Sequence, residues 1–165
     1  MGAAARFLSR FHLLVARFHR GMTLGVRGAV FDEQGRVFLV KHSYTPGWYL
    51  PGGGVDPGET MAAALGRELR EEGNIELTGG ADLFGIYLQT AVSPRDHVAL
   101  YVCRDWRQPV PPKVPNMEIV ACGFHAPDAL PEGTTPATRR RPVRHSGDAC
   151  AWRRSAGAST RCSAP

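Results

Sequence analysis

From Gly53 to Ile75 the chain reads GGVDPGETMAAALGRELREEGNI, a glycine turn that runs into a helix-forming stretch ending in clustered charge. Asp56-Pro57-Gly58-Glu59 is rich in helix breakers, so the helix is expected to start near Thr60. Met61-Ala62-Ala63-Ala64-Leu65 then has high helix propensity. On such a helix Glu68, Glu71 and Glu72 fall at i, i+3 and i+4 and share one face. Leu65 and Leu69 form an apolar stripe beside them. Three like charges on one face repel, so the helix disfavours them in isolation. A divalent cation removes that repulsion. Oxygen-only ligands suit magnesium or manganese, ions that commonly work alongside substrate phosphates. The rival reading is a solvated helix stitched by charge pairs such as Arg67 with Glu71.

The segment resembles the signature box of the Nudix hydrolases, whose pattern is G-x5-E-x7-R-E-U-x-E-E-x-G-U with U a bulky aliphatic residue. Gly53 and Glu59 carry the first spacing. Arg67, Glu68, Leu69, Glu71 and Glu72 carry the second, and Ile75 closes it. One position departs: Asn74 stands where the pattern has its second glycine, with Gly73 just before it. Helices often end in a left-handed residue, usually Gly and sometimes Asn, so the substitution is tolerable.

The resemblance implies an α/β/α sandwich around a mixed β-sheet, an α+β fold spanning roughly residues 22–138. It implies a magnesium- or manganese-dependent hydrolase that cleaves a diphosphate bond in a nucleotide-derived small molecule. Metal ligation maps most firmly onto Glu68 and Glu72, with Glu71 assisting and the Gly52 carbonyl as a further ligand by position. Arg67 is expected to bind Glu59 or Glu71 and fix the geometry of loop and helix. Two residues compete for the general base: Glu68, and Glu118 on a distant segment. Tyr44, Trp48 and Tyr49 could stack on a base, or could equally be packing residues. The alternative function is a catalytically silent nucleotide-binding or regulatory module on the same fold. The complete set of acids argues against it.

A coarse pass along the chain supports mixed α and β structure without a P-loop or dinucleotide-binding fingerprint. Met22–Phe31 and Arg36–His42 read as two strands joined by the turn Asp32-Glu33-Gln34-Gly35, that is, as a hairpin. Trp48-Tyr49-Leu50 reads as a short strand leading into Pro51-Gly52-Gly53-Gly54. Ala81–Gln89, His97–Arg104 and Glu118–Phe124 are further strands. Thr135 and Pro136 look like the cap and first turn of a final helix. His42, His97 and His125 stand alone in the sequence and read as surface or packing residues.

The formal net charge is +5, but it is uneven. Residues 139–165 hold seven Arg and one Asp, and residues 1–20 hold four Arg and no acid, which leaves −5 for residues 21–138. The catalytic segment is therefore acidic between basic ends, and the sequence argues against a nucleic-acid partner. Within residues 1–21, Phe7, Leu8, Phe11, Leu14, Val15 and Phe18 share one helical arc opposite Arg6, Arg10, Arg17 and Arg20. Such a helix packs on the domain, lies on an anionic membrane surface, or serves as a targeting peptide; packing is the first reading. The tail 139–165 reads as disordered. Its Arg/Ala/Gly/Ser-rich composition is also what GC-rich coding DNA yields when read out of frame. Cys103, Cys122, Cys150 and Cys162 show no metal-ligand spacing, which fits a reducing, cytoplasmic setting. Oligomeric state is open, with a homodimer among the options.

Overall fold

Apolar residues alternate along Thr23–Val30 (β1), and the two sides of the alternation serve two different cores. Val26 and Val30 face one cluster; Ala29, with Phe31 just beyond the strand, faces the other. Asp96–Cys103 (β5) divides in the same way, with Ala99, Tyr101 and Cys103 on the first side and Leu100 on the second. The computed structural model describes residues 21–90 and 93–140. The basic N-terminal segment, the tail beyond Arg140, and Cys150 and Cys162 lie outside the described residues.

The remaining elements are Val37–His42 (β2), Met61–Gly73 (α1), Glu76–Leu77 (β3), Asp82–Leu88 (β4), Trp106–Arg107 (β6), Ile119–His125 (β7) and Pro136–Arg140 (α2). β1 runs parallel to β5, and β4 runs antiparallel to β5, giving a mixed three-stranded sheet in the order β1-β5-β4. β2 pairs antiparallel with β7, and β3 with β6. The fold is thus mixed α+β. Helix α1 closes the first cluster by inserting Ala64, Leu65 and Leu69 against Val26, Val30 and Ile75. Among the described residues no helix is long and apolar enough to cross a membrane.

Two expectations need correction. β1 and β2 are joined by the expected turn but do not form a hairpin ladder; only Phe31 and Val37 bridge. The reason is that β1's other edge is taken. Val26 N–H donates to the Gly53 carbonyl (2.8 Å), Gly28 N–H to that of Pro51 (2.8 Å), and Val55 N–H to that of Leu24 (2.9 Å). The glycine loop therefore lies along β1 where a hairpin partner would have lain. Trp48-Tyr49-Leu50 is likewise not a strand. It makes isolated bridges, Tyr49 to Val40 and Trp48 to Thr134.

The helix boundaries follow local chemistry. Thr60 caps α1, its hydroxyl accepting from Ala63 N–H at 3.1 Å. At the other end Asn74 adopts the left-handed conformation (φ 51°, ψ 35°). Its N–H donates to the Arg70 carbonyl, and Ile75 N–H to that of Leu69, which closes the turn after Glu72. The side-chain amide of Asn74 also donates to the Val110 carbonyl at 2.7 Å, a tie a glycine there could not make. Thr135 accepts from Thr138 N–H and so opens α2 as its spacing suggested.

Candidate active site

The loop Pro51–Gly54 is pressed between β1 and α1, and two glycines make this approach possible. At Gly52 (φ 136°) a Cβ would collide with the Val26 carbonyl. At Gly53 it would collide with the carboxylate of Glu68. Backbone is thereby brought against the acidic face of α1. Gly52 N–H donates to Oε2 of Glu72 at 2.7 Å.

Glu72 is the innermost of the three helix acids, only 6 % exposed. Burial pushes its carboxyl up to about 7, and the negative charges of Glu68 and Glu118 push the same way. The Gly52 N–H and the Arg27 guanidinium oppose the shift without cancelling it. Nε2 of His42 lies 3.4 Å from Oε1 of Glu72. Burial lowers the His42 pKa, with Arg27 acting in the same direction and Glu118 against it. Nδ1 of His42 is buried with no hydrogen-bond partner among the described residues.

Arg67 organises the outer side of the loop. Its Nε and Nη2 donate to the two oxygens of Glu59 at 3.2 and 3.1 Å, a bidentate clasp. Nη2 also reaches the Gly54 carbonyl at 3.0 Å. Nη1 meets Glu68 at 2.7 Å and Glu71 at 3.3 Å. Both acids named for Arg67, Glu59 and Glu71, are therefore its neighbours, and Glu68 is a third. The hydrogen bonds from Arg67 and from Asp56 N–H hold the Glu59 carboxyl below the usual carboxylate range. Arg67 itself is raised, first by Glu59 and then by Glu68. Glu71 stays largely in solvent, with 56 % of its side chain exposed.

The other candidates separate. Glu118 immediately precedes β7, whose first residue pairs with His42 at the end of β2. That pairing carries its charge within influence of Glu72, His42 and Tyr44. Tyr44 is 71 % exposed, its ring 5.1 Å from that of His42. Trp48 instead packs edge-on to His125 and borders the second core. Tyr49 borders the first, with its hydroxyl on the Pro46 carbonyl.

Sequence reasoning passed over Arg27 and read His42 only as a surface or packing residue; His42 is buried, and both belong to this pocket. Nη1 of Arg27 donates to the Leu50 carbonyl at 3.1 Å and also to the Gly52 carbonyl. The available signal for Arg27 was a single charge within the apolar run LGVRGAVF. For His42 no local signal existed, because its neighbours arrive from β7 and α1.

Do these residues fit a divalent ion? Among the described residues no three His, Cys, Asp or Glu side chains converge closely enough to hold one unaided. The donor chemistry nevertheless fits. A buried carboxylate left underneutralised, a second carboxylate in contact with the loop, and a loop carbonyl form an all-oxygen set around Gly52 and Gly53. Two arginines presently hold parts of that set: Arg67 on Glu68, and Arg27 on the Gly52 carbonyl.

The family model described as NUDIX domain matches residues 21–145. A Bacillus subtilis (strain 168) protein named "Putative 8-oxo-dGTP diphosphatase" is 36% identical over 76 residues, 46% of this chain and 50% of that protein. The human 8-oxo-dGDP phosphatase NUDT18 is 36% identical over 62 residues, 36% of this chain and 19% of that protein. The chain thus spans half or less of these curated relatives. Among solved structures, a MutT NUDIX hydrolase from Burkholderia pseudomallei superposes with a TM-score of 0.62 at 31% identity, covering 72% of this chain and 93% of that one. An ADP-ribose pyrophosphatase from Streptococcus suis gives a TM-score of 0.56 at 26% identity, covering 73% and 89%.

Proposed function

The chain belongs to the Nudix family, and from that premise we propose that it is a divalent-metal-dependent pyrophosphohydrolase acting on a nucleoside diphosphate derivative. The observation that carries this reading is the meeting of the Gly52–Gly53 backbone with Glu68 and Glu72. It brings the buried, underneutralised Glu72 carboxylate, the Arg67-paired Glu68 carboxylate and a turn of loop backbone to one place.

Glu68, Glu72 and the Gly52 carbonyl would hold magnesium or manganese, with Glu71 assisting from the rim. The ion, when bound, neutralises charge on phosphate oxygens and acidifies water. Everything else falls to the chain. Arg67 holds loop to helix through Glu59 and Gly54, and so keeps Glu68 aimed at Gly53. Gly52 N–H orients the Glu72 carboxylate. For the general base we favour Glu118 over Glu68. Glu68 is engaged by Arg67, whereas the Glu118 carboxylate has no hydrogen bond among the described residues and faces the same charge cluster.

Tyr44 is the best-presented aromatic for stacking on a base, because Trp48 and Tyr49 are tied into the cores. The names of the curated relatives make oxidised purine nucleotides the first compounds to try, and ADP-ribose the second. With Cys103 and Cys122 both free thiols, we assign the protein to the cytoplasm.

The test is release of nucleotide or phosphate from 8-oxo-dGTP, dGTP, 8-oxo-dGDP and ADP-ribose with magnesium or manganese, for wild type and Glu72→Gln. The expected result is metal-dependent turnover that collapses in the variant. A folded protein that binds nucleotide yet turns over none of a broad panel would instead support a silent binding module.

A further inference from the structure

Arg27 is a half-buried charge on a largely apolar strand. Its strand neighbours Val26 and Gly28 are buried, and its register partner Leu100 belongs to the second core. A guanidinium in such surroundings needs strong acceptors or it destabilises the fold. Its Nη1 takes two backbone carbonyls, those of Leu50 and Gly52, both in the segment that approaches α1. It also acts on the buried Glu72 as an opposing positive charge. The same carbonyl that the family position marks as a metal ligand is thus satisfied by a cation that belongs to the chain.

We propose that Arg27 is the resident cation of the metal-free pocket, holding the Gly52 carbonyl and countering Glu72, and that it competes directly with the divalent ion for this place. The inference rests on the metal-dependent reading above. It makes Arg27 a residue that sets metal affinity, with an unusual consequence: one side chain stabilises the metal-free fold and weakens metal binding. A residue that merely braced the loop would do the opposite on the second count. Removing a brace would misplace the carbonyl and weaken metal binding along with the fold.

The experiment measures manganese affinity by calorimetry and thermal unfolding in EDTA, on the full chain, for wild type, Arg27→Met and Arg27→Lys. Met keeps most of the aliphatic stem and removes the charge; Lys keeps the charge. Arg27→Met is expected to bind manganese about tenfold more tightly while melting at a lower temperature without metal. Manganese should then raise its melting temperature by more than it raises that of wild type. Arg27→Lys should retain an affinity near wild type. Affinity that is unchanged or weaker in Arg27→Met, with wild type binding normally, would overturn the competition and leave the hydrolase reading intact. Absence of manganese binding by wild type would overturn both.

Discussion

Two arginines grip the glycine loop from opposite sides, and they do so by different physics. Arg67 comes from α1 and binds acids close to it in sequence, Glu59, Glu68 and Glu71, in partly solvated pairs. Arg27 comes from β1 and binds carbonyls 23 and 25 residues away, beside a buried carboxylate from α1. The outer cluster is a set of charge-assisted hydrogen bonds that fixes geometry and adds little to stability. The inner cluster is short of solvent, so each uncompensated charge in it matters more. The difference separates roles: the outer arginine shapes the site, and the inner one sets its electrostatics.

The largest expected effect falls on the inner acid. Glu72→Gln should lower turnover by about a thousandfold or more, in a steady-state assay with saturating manganese. Comparable loss in Glu71→Gln would break the contrast between buried and exposed acids.

Next comes a pH effect confined to the inner cluster. The Glu72 carboxyl has its folded pKa raised to about 7 from 4.5. The folded state therefore holds a proton that the unfolded state has lost across that window. Its stabilising contribution is full below pH 4.5 and is lost as pH rises through about 7. In EDTA, wild type should lose about 3 kcal/mol relative to Glu72→Gln over this range. Parallel stability curves for the two proteins in denaturant titrations would contradict the buried, underneutralised state.

Arg67→Met should lower turnover by about ten- to a hundredfold while shifting the melting temperature only slightly. A large fall in melting temperature would mean the outer cluster supports the fold itself. The smallest effect is expected for Glu71→Gln, a loss of turnover of less than about tenfold, since its side chain is mostly in water and, among the described residues, is held by Arg67.

The same contrast accounts for what could be read in advance. Helix α1 was legible from end to end because its determinants are local: the Thr60 cap, the Ala-rich first turns, and Asn74 able to turn left-handed. The acidic face and its arginine were legible because i, i+3 and i+4 spacing is a property of the helix. The supposed hairpin of β1 and β2 was not, because strand character says nothing about which edge a neighbour will occupy. Here the loop at Pro51–Val55 took that edge through three backbone hydrogen bonds. The place of His42 beside Glu72 was hidden for a related reason, since its pocket is built by β7 and α1.

By itself, then, the sequence determined the helix, its carboxylate face and the glycines that admit backbone contact, because short-range geometry settles each of these. Tertiary structure alone decided that Glu72 is the buried acid and that Glu118 shares its field. It also decided that Arg27 on β1 reaches the Gly52 carbonyl of the glycine loop. Burial and electrostatic coupling depend on which segments meet, and the segments of this pocket, 20 or more residues apart in the chain, meet only in the folded domain.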